Sequence, residues 1–279
     1  KSAEDRKGLN MMQNKSVSGT RRTYAVITGA TSGLGLAYAK WFGGKGYDLI
    51  ITGRRKDIIE KRAEEIREAY GCSVEVVLTD LAEEQGTANL LARMDGKPVD
   101  VLVNNAGFGL GLEFADSDIK DIRRLIFLQT SAIAELTHYV LRDMKKKHHG
   151  TIINISSDGA FAPLPKNVTY AASKRFLVTF TEGLHMELAG TGVRVQVVCP
   201  GFIDSDFHEG AGMHVDKKKK GMFAFRHPET VVAGAMKDYE KGKVVSVPNL
   251  AGKLIKVLAG LLPQKVYYGL AGIFVKKFL

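Results

Sequence analysis

Cysteine is scarce in this chain. Cys72 and Cys199 are the only two, far apart in sequence, which excludes a disulfide framework, and neither has the spacing of a metal-ligand pair. His208, His214 and His227 are also too loosely spaced for a tight metal site, so no metal is expected. Long apolar runs are missing too. The longest uncharged stretch of the C-terminal segment, Val266 to Val275, has ten residues, too short to span a bilayer as a helix. Residues 1–22 lack the apolar stretch of a signal peptide; with Gly8, Gly19 and several serines they read as a flexible leader. No internal repeat or linker divides the rest, so a single folded domain is expected.

What remains is an ordinary globular composition. The chain has 279 residues, 45% hydrophobic and 25% charged, with a formal net charge of +10. At this length roughly three quarters of the unfolded surface can be buried. The positive charge lies at the edges. Residues 1–22 carry six basic and two acidic side chains, Lys217 to Lys220 form a basic run, and residues 248–279 hold five lysines and no acid. The body between these segments is mildly acidic. That distribution argues against a nucleic-acid binder, which would carry a basic stripe on the fold itself. A basic and apolar tail points to a membrane surface or a partner.

Short β-branched runs alternate with longer amphipathic ones. Tyr24–Thr28, Asp48–Thr52, Val74–Leu78, Val99–Val103, Thr151–Ile155, Arg194–Val198 and Val244–Val247 read as seven strands covered on both faces. Helices are expected near 33–45, 57–70, 83–94, 118–147, 169–190 and 228–241. Alternating βα units imply a parallel sheet with helices on both faces, joined by right-handed crossovers. Pro228 suits a first helical turn, and Gly71 and Gly242 suit helix C-caps.

The turn Thr28-Gly29-Ala30-Thr31-Ser32-Gly33-Leu34-Gly35 follows the first strand and opens a helix. Backbone N–H groups and a helix N-terminus there can meet a pyrophosphate. After the second strand, where NAD sites of this architecture place a carboxylate on the ribose, the sequence reads Gly53-Arg54-Arg55. Two guanidiniums and no acid favour a 2′-phosphate, hence NADP(H). Further on, Tyr170 and Lys174 lie four residues apart on one helix face. An ammonium beside the phenol is expected to lower its pKa and fit it for proton transfer. Ser157 ends a strand and can hydrogen-bond a substrate oxygen.

Together these residues resemble the short-chain dehydrogenase/reductase family over about residues 23–247. The motifs are Thr28–Gly35, Asp80-Leu81, Asn104-Asn105-Ala106-Gly107, Ser156-Ser157, Tyr170–Lys174 and Pro200-Gly201, in family order. The resemblance implies a doubly wound Rossmann-like fold with a seven-stranded parallel sheet. It implies that Tyr170 exchanges the proton with the substrate oxygen. Lys174 would bind the nicotinamide ribose, and Ser157 would hold the carbonyl or hydroxyl. Gly29, Thr31, Ser32, Gly33, Leu34 and Gly35 would cradle the cofactor. Asp80 and Leu81 would lie beside the adenine, and Asn105, Ala106 and Gly107 along the cofactor's flank. Pro200, Gly201, Ile203 and Ser205 would approach the nicotinamide. One departure stands out: the family's relay Asn, which holds a water beside the lysine, is replaced by Gln129.

Beyond Pro200-Gly201 the family places a substrate lid. Residues 203–227, with Phe202 before them, carry Phe207, Met213, Met222, Phe223 and Phe225, which suits an apolar substrate. Asp158, next to Ser157, is expected to face water. From 248 on, Leu250, Leu254, Val257, Leu258 and Leu261 fall at helical spacing, and a second run holds Val266, Leu270, Ile273, Phe274 and Phe278. This apolar surface lies past the last strand and must cover a partner subunit, the substrate cleft or a membrane interface. The expected activity is reduction of a small apolar carbonyl compound, of lipid, steroid or ketoacyl type. The rival readings are the reverse alcohol oxidation and a membrane-associated scaffold without turnover. A homodimer or homotetramer in the cytoplasm is expected, with peripheral membrane contact through 250–279.

Overall fold

The computed structural model describes residues 23–205 and 224–278. Residues 1–22 and 206–223, the latter with Phe207, Met213, Met222, Phe223 and the Lys217–Lys220 run, lie outside the described residues. The elements follow in strict alternation at first: β1 (Tyr24–Ile27), α1 (Gly33–Gly43), β2 (Asp48–Gly53), α2 (Lys56–Tyr70), β3 (Val74–Leu78), α3 (Glu84–Met94) and β4 (Val99–Asn104). Then come α4 (Ile119–Ile126), α5 (Ala132–Lys147), β5 (Gly150–Ile155), α6 (Val168–Glu187), β6 (Val193–Val198), α7 (Pro228–Glu240) and β7 (Val245–Ser246). Two helices close the chain, α8 (Leu250–Leu261) and α9 (Gln264–Phe278).

The seven strands form one parallel sheet in the order β3-β2-β1-β4-β5-β6-β7. Alternate side chains serve opposite faces, as the two-residue strand period requires. Ala25 and Ile27 of β1 join Tyr38, Phe42, Ile59, Ile66 and Val231 beneath α1, α2 and α7. Val26 faces the other way, toward Leu90, Met94, Leu136 and Val140 of α3 and α5. The chain reverses its winding between β1 and β4, so the loops leaving their C-terminal ends diverge and open a crevice.

The single helix expected over 118–147 has an interruption. Phe127–Ser131 between α4 and α5 is a π turn, which inserts an extra residue into the helical ladder. Gln129 sits in that turn and is fully buried. Gly71 caps α2 in the left-handed region, φ 64°.

Candidate active site

The crevice is a cavity of about 730 Å³. Its floor begins at the glycine turn. Gly29 and Gly33 have φ of +68° and +58°, which side chains other than glycine adopt only with strain. Their turn is tied to the end of β4: the Thr28 hydroxyl accepts the N–H groups of Asn105 (2.9 Å) and Ala106 (3.0 Å). The Asn105 amide returns bonds to the carbonyls of Thr28 and Gly29, both at 2.9 Å. Thr31, Ser32 and Leu34 line the cavity beside Gly29 and Gly33. Gly35 does not; it lies behind the turn, where a Cβ would stand 2.2 Å from the Gly29 carbonyl oxygen. Its place in the motif is a packing requirement.

Arg54 and Arg55 leave β2 into the same cavity, with Asp80 and Leu81 opposite. Arg55 donates to the Thr31 hydroxyl at 3.1 Å, and Arg54 stands 3.5 Å from Asp80. A third guanidinium escaped the sequence reading: Arg124 of α4 donates to Asp80 Oδ2 at 2.7 Å. No spacing rule links α4 to the end of β3, so only the fold brings them together. Asp80 is therefore compensated while both cavity-facing arginines present an anion site.

Farther along, Ala106, Gly107, Ser157, Tyr170, Lys174, Pro200, Gly201, Ile203 and Ser205 share one wall system. Ser157 accepts the Gly159 N–H at 3.1 Å and is hydrogen-bonded to the Tyr170 hydroxyl. Lys174 is 3% exposed; its ammonium donates to the Ile155 carbonyl at 2.9 Å and lies 5.5 Å from the Tyr170 ring centroid. Burial pushes the lysine down to about 7. Burial also holds the Tyr170 phenol well above its ordinary range, against the Ser157 hydrogen bond. The expected lowering by the ammonium is not found: desolvation dominates, and the one opposing influence is the Ser157 hydrogen bond. Gln129 stands behind Gly107, outside the cavity wall. Its Nε2 donates to the Phe108 carbonyl at 2.8 Å, and its Oε1 is buried without a partner. A Cβ on Gly107 would stand 3.2 Å from that oxygen and 3.4 Å from Lys174 Nζ, so glutamine and lysine back the same spot.

The far wall comes from the extension, in the cleft-covering role, one of the three expected of it. Ala251, Ile255 and Leu258 of α8 and Tyr267 and Ala271 of α9 line the cavity, so the extension covers the cleft. Tyr267 donates to the Phe161 carbonyl, and Asn249, just before α8, donates to Asp158 Oδ2 at 3.3 Å. Asp158 is not the open loop residue expected; it is half-buried in the cavity wall. It lies against Ser157 and Asn249, where burial pushes its carboxyl up to about 6. Asn249 and the inward face of α8 had no signal beyond helical spacing.

Comparison with known proteins agrees with this architecture. The short chain dehydrogenase family model matches residues 23–215. A very-long-chain 3-oxoacyl-CoA reductase of Anas platyrhynchos is 33% identical over 219 residues, 76% of this chain and 67% of that protein. A serine 3-dehydrogenase of Agrobacterium fabrum is 36% identical over 185 residues, 65% of this chain and 72% of that one. Among solved structures, a short-chain dehydrogenase of Sphingobium yanoikuyae in complex with NADPH has a TM-score of 0.78 at 29% identity, covering 85% of this chain and 92% of its own. The chain belongs to the short-chain dehydrogenase/reductase family and is an oxidoreductase.

Proposed function

We propose that this protein reduces the carbonyl of an apolar substrate with NADPH, using Tyr170 as the proton donor. The observation that carries this reading is the meeting of Ser157, Tyr170 and Lys174 in one cavity with a glycine turn and two arginines. NADP(H) is the cofactor, as in the Sphingobium neighbour, and it supplies the hydride when bound. The residues fit it: the turn at Gly29 and Gly33 is bare of side chains at the N-terminus of α1, where a pyrophosphate is held. Arg54 and Arg55 take the 2′-phosphate, with Asp80 and Leu81 beside the adenine. Asn105, Ala106 and Gly107 flank the cofactor, and Pro200, Gly201, Ile203 and Ser205 border its reactive end.

At that end Ser157 orients the substrate oxygen and Tyr170 protonates it. Lys174 holds the ribose, and Gln129 keeps the lysine's surroundings fixed. The relatives are named for substrates as different as a very-long-chain 3-oxoacyl-CoA and serine, so the substrate class rests on this cavity. Leu164, Leu254, Ile255 and Leu258 give it an apolar wall, which favours a lipid-, steroid- or ketoacyl-like compound. A panel running from acetone to long-chain β-keto esters and steroid ketones, scored by NADPH oxidation, tests this. Turnover rising with apolar size is expected; turnover confined to small polar carbonyls would contradict it.

The same reading divides the chain into a catalytic unit over 23–247 and an extension over 248–279 that roofs it. The outward side of the extension exposes Leu250, Val257, Leu261, Val266 and Tyr268, interleaved with Lys253 and Lys265 and with no acid. Among the described residues no helix is long and apolar enough to cross a membrane. We assign this side to the surface of an anionic membrane, where apolar burial and lysine–headgroup attraction add. Flotation with vesicles containing phosphatidylserine should carry the full chain upward, less so at high salt. Dimerisation without vesicle binding would assign the surface to a second copy instead.

A further inference from the structure

Asp158 stands one residue beyond Ser157 and has no part in the reduction proposed above. Its surroundings are built rather than incidental. The Asp158 N–H donates to the Pro200 carbonyl at 2.8 Å, and its carboxylate is wedged between two glycines. A Cβ on Gly201 would stand 2.9 Å from Asp158 Oδ2, and one on Gly252 would stand 3.0 Å from Asp158 Cβ. Oδ2 accepts from Asn249 at 3.3 Å, and Oδ1 lies 3.4 Å from the Ser157 hydroxyl.

Counting donors at Ser157 gives the chain a direction. A hydroxyl has one proton and two lone pairs. The Gly159 N–H occupies one lone pair. When Asp158 carries a proton on Oδ1, that proton fills the other. The Ser157 proton is then left for Tyr170 Oη, the direction in which their hydrogen bond favours the phenolate. Tyr170, Ser157 and Asp158 form a continuous hydroxyl–hydroxyl–carboxyl path, and Asp158 itself lines the cavity.

We propose that Asp158 stores the proton that restores Tyr170 after each reduction and delivers it through the Ser157 hydroxyl. The proposal rests on Tyr170 as the proton donor. The Tyr170 O–H bond breaks as a new O–H forms on the substrate; once the product leaves, the Ser157 proton that held its oxygen moves to the Tyr170 phenolate oxygen. The proton on Asp158 Oδ1 moves to Ser157 Oγ. Each O–H bond lost along the path is replaced, and water in the cleft reloads the carboxylate. In the oxidative direction each transfer reverses, and Asp158 receives the proton. Asp158 is a positioning and proton-supplying residue, since it acts on substrate only through Ser157.

The titration behaviour fits this role. Burial pushes Asp158 up to about 6, while the Tyr170 phenol is held well above its ordinary range. A carboxylic acid of that strength gives its proton to a phenolate downhill, yet it reloads near neutral pH. The other titratable groups around it are Tyr170 and Lys174 of α6, the Cys199 thiol past β6 and Lys256 of α8. The thiol, pushed up to about 12, stays neutral.

The test compares wild type, Asp158→Asn, Asp158→Glu and Tyr170→Phe, each checked for folding and NADPH binding. With the best ketone of the panel and its alcohol, wild-type kcat for reduction is expected to fall as pH rises through about 6, and kcat for oxidation to rise. Asp158→Asn should lose the inflection near 6 in both directions, keep the one set by Lys174 near 7, and lose about tenfold in rate; Asp158→Glu should regain the lost inflection. A folded Asp158→Asn enzyme that keeps the inflection near 6 would overturn the proposal, whereas turnover surviving in Tyr170→Phe would overturn the reading beneath it. A second readout needs no substrate. The 13C carboxyl resonance missing from Asp158→Asn should titrate near 6 in the wild type and shift in Ser157→Ala. A titration at the ordinary value near 4, or no response to Ser157→Ala, would also overturn it.

Discussion

The two ends of the cavity are held in different ways. At the glycine turn the backbone is pinned by four hydrogen bonds between Thr28, Gly29 and the Asn105-Ala106 pair. There is no free space behind it, as the 2.2 Å approach at Gly35 shows. The roof is attached by Asn249 to Asp158 and Tyr267 to Phe161, with a modest apolar seam at Ile255 and Ala259. Among the described residues, glycines 260, 269 and 272 in α8 and α9 have no neighbour within 4 Å of a built Cβ. The end assigned to the cofactor is over-determined, whereas the roof is tight only at its first turn, where a Cβ on Gly252 would stand 3.0 Å from Asp158 Cβ, and is lightly held beyond it. A fold built this way can vary its substrate while keeping its chemistry.

Gly35→Ala tests the tight end and should have the largest effect on stability. Overpacking there is expected to cost about 1–3 kcal/mol and to weaken NADPH binding, read by denaturant melts and fluorescence titration. Gly260→Ala in the roof should stay within about 0.5 kcal/mol of wild type. Similar losses at both sites would erase the contrast.

Leu258→Gln places a polar group in the roof. It should cost about 10-fold or more in kcat/KM for a long apolar ketone, as lost apolar contacts do. The Kd for NADPH should be unchanged. Arg54→Ala with Arg55→Ala acts at the other end: a preference for NADPH over NADH of about tenfold, or about 1.4 kcal/mol, should largely disappear, leaving substrate KM alone.

The remaining effect concerns Asp158. Its folded pKa, about 6, lies above the ordinary carboxyl value near 3.9. The native state therefore binds more proton between those values, and stability falls as pH rises through that window. Asp158→Asn removes this cost. That gap is worth about 3 kcal/mol, so the variant should melt about 6–12 °C higher than wild type at pH 7.5 and show little difference at pH 4, by calorimetry.

The strands, their parallel order and the glycine turn were legible because each has a local signature. Continuous β-branched runs mean a sheet buried on both faces, and glycines at a strand end mean a tight turn. Tyr170 and Lys174 were legible from helical spacing together with the surrounding motifs. Arg124 was not, because its partner Asp80 is 44 residues away and no periodicity connects them. Asp158 was misread as an open loop residue because nothing local reveals that Asn249 lies against it from 91 residues away. The π turn at Phe127–Ser131 was also hidden, since an extra residue in a helix leaves the apolar pattern almost intact. The direction of the extension's apolar face depends on how α8 leaves β7, which helical spacing does not encode.

The central claim is that Tyr170 supplies the substrate proton in a cleft that binds NADPH without it. Tyr170→Phe removes only the phenolic oxygen. NADPH affinity by fluorescence titration and ketone reduction by absorbance, measured on one preparation of that variant, separate binding from chemistry. An NADPH Kd within about twofold of wild type, with turnover lowered by about 10³ or more, is the expected result. Reduction at a rate near wild type, with NADPH still bound, would contradict the account.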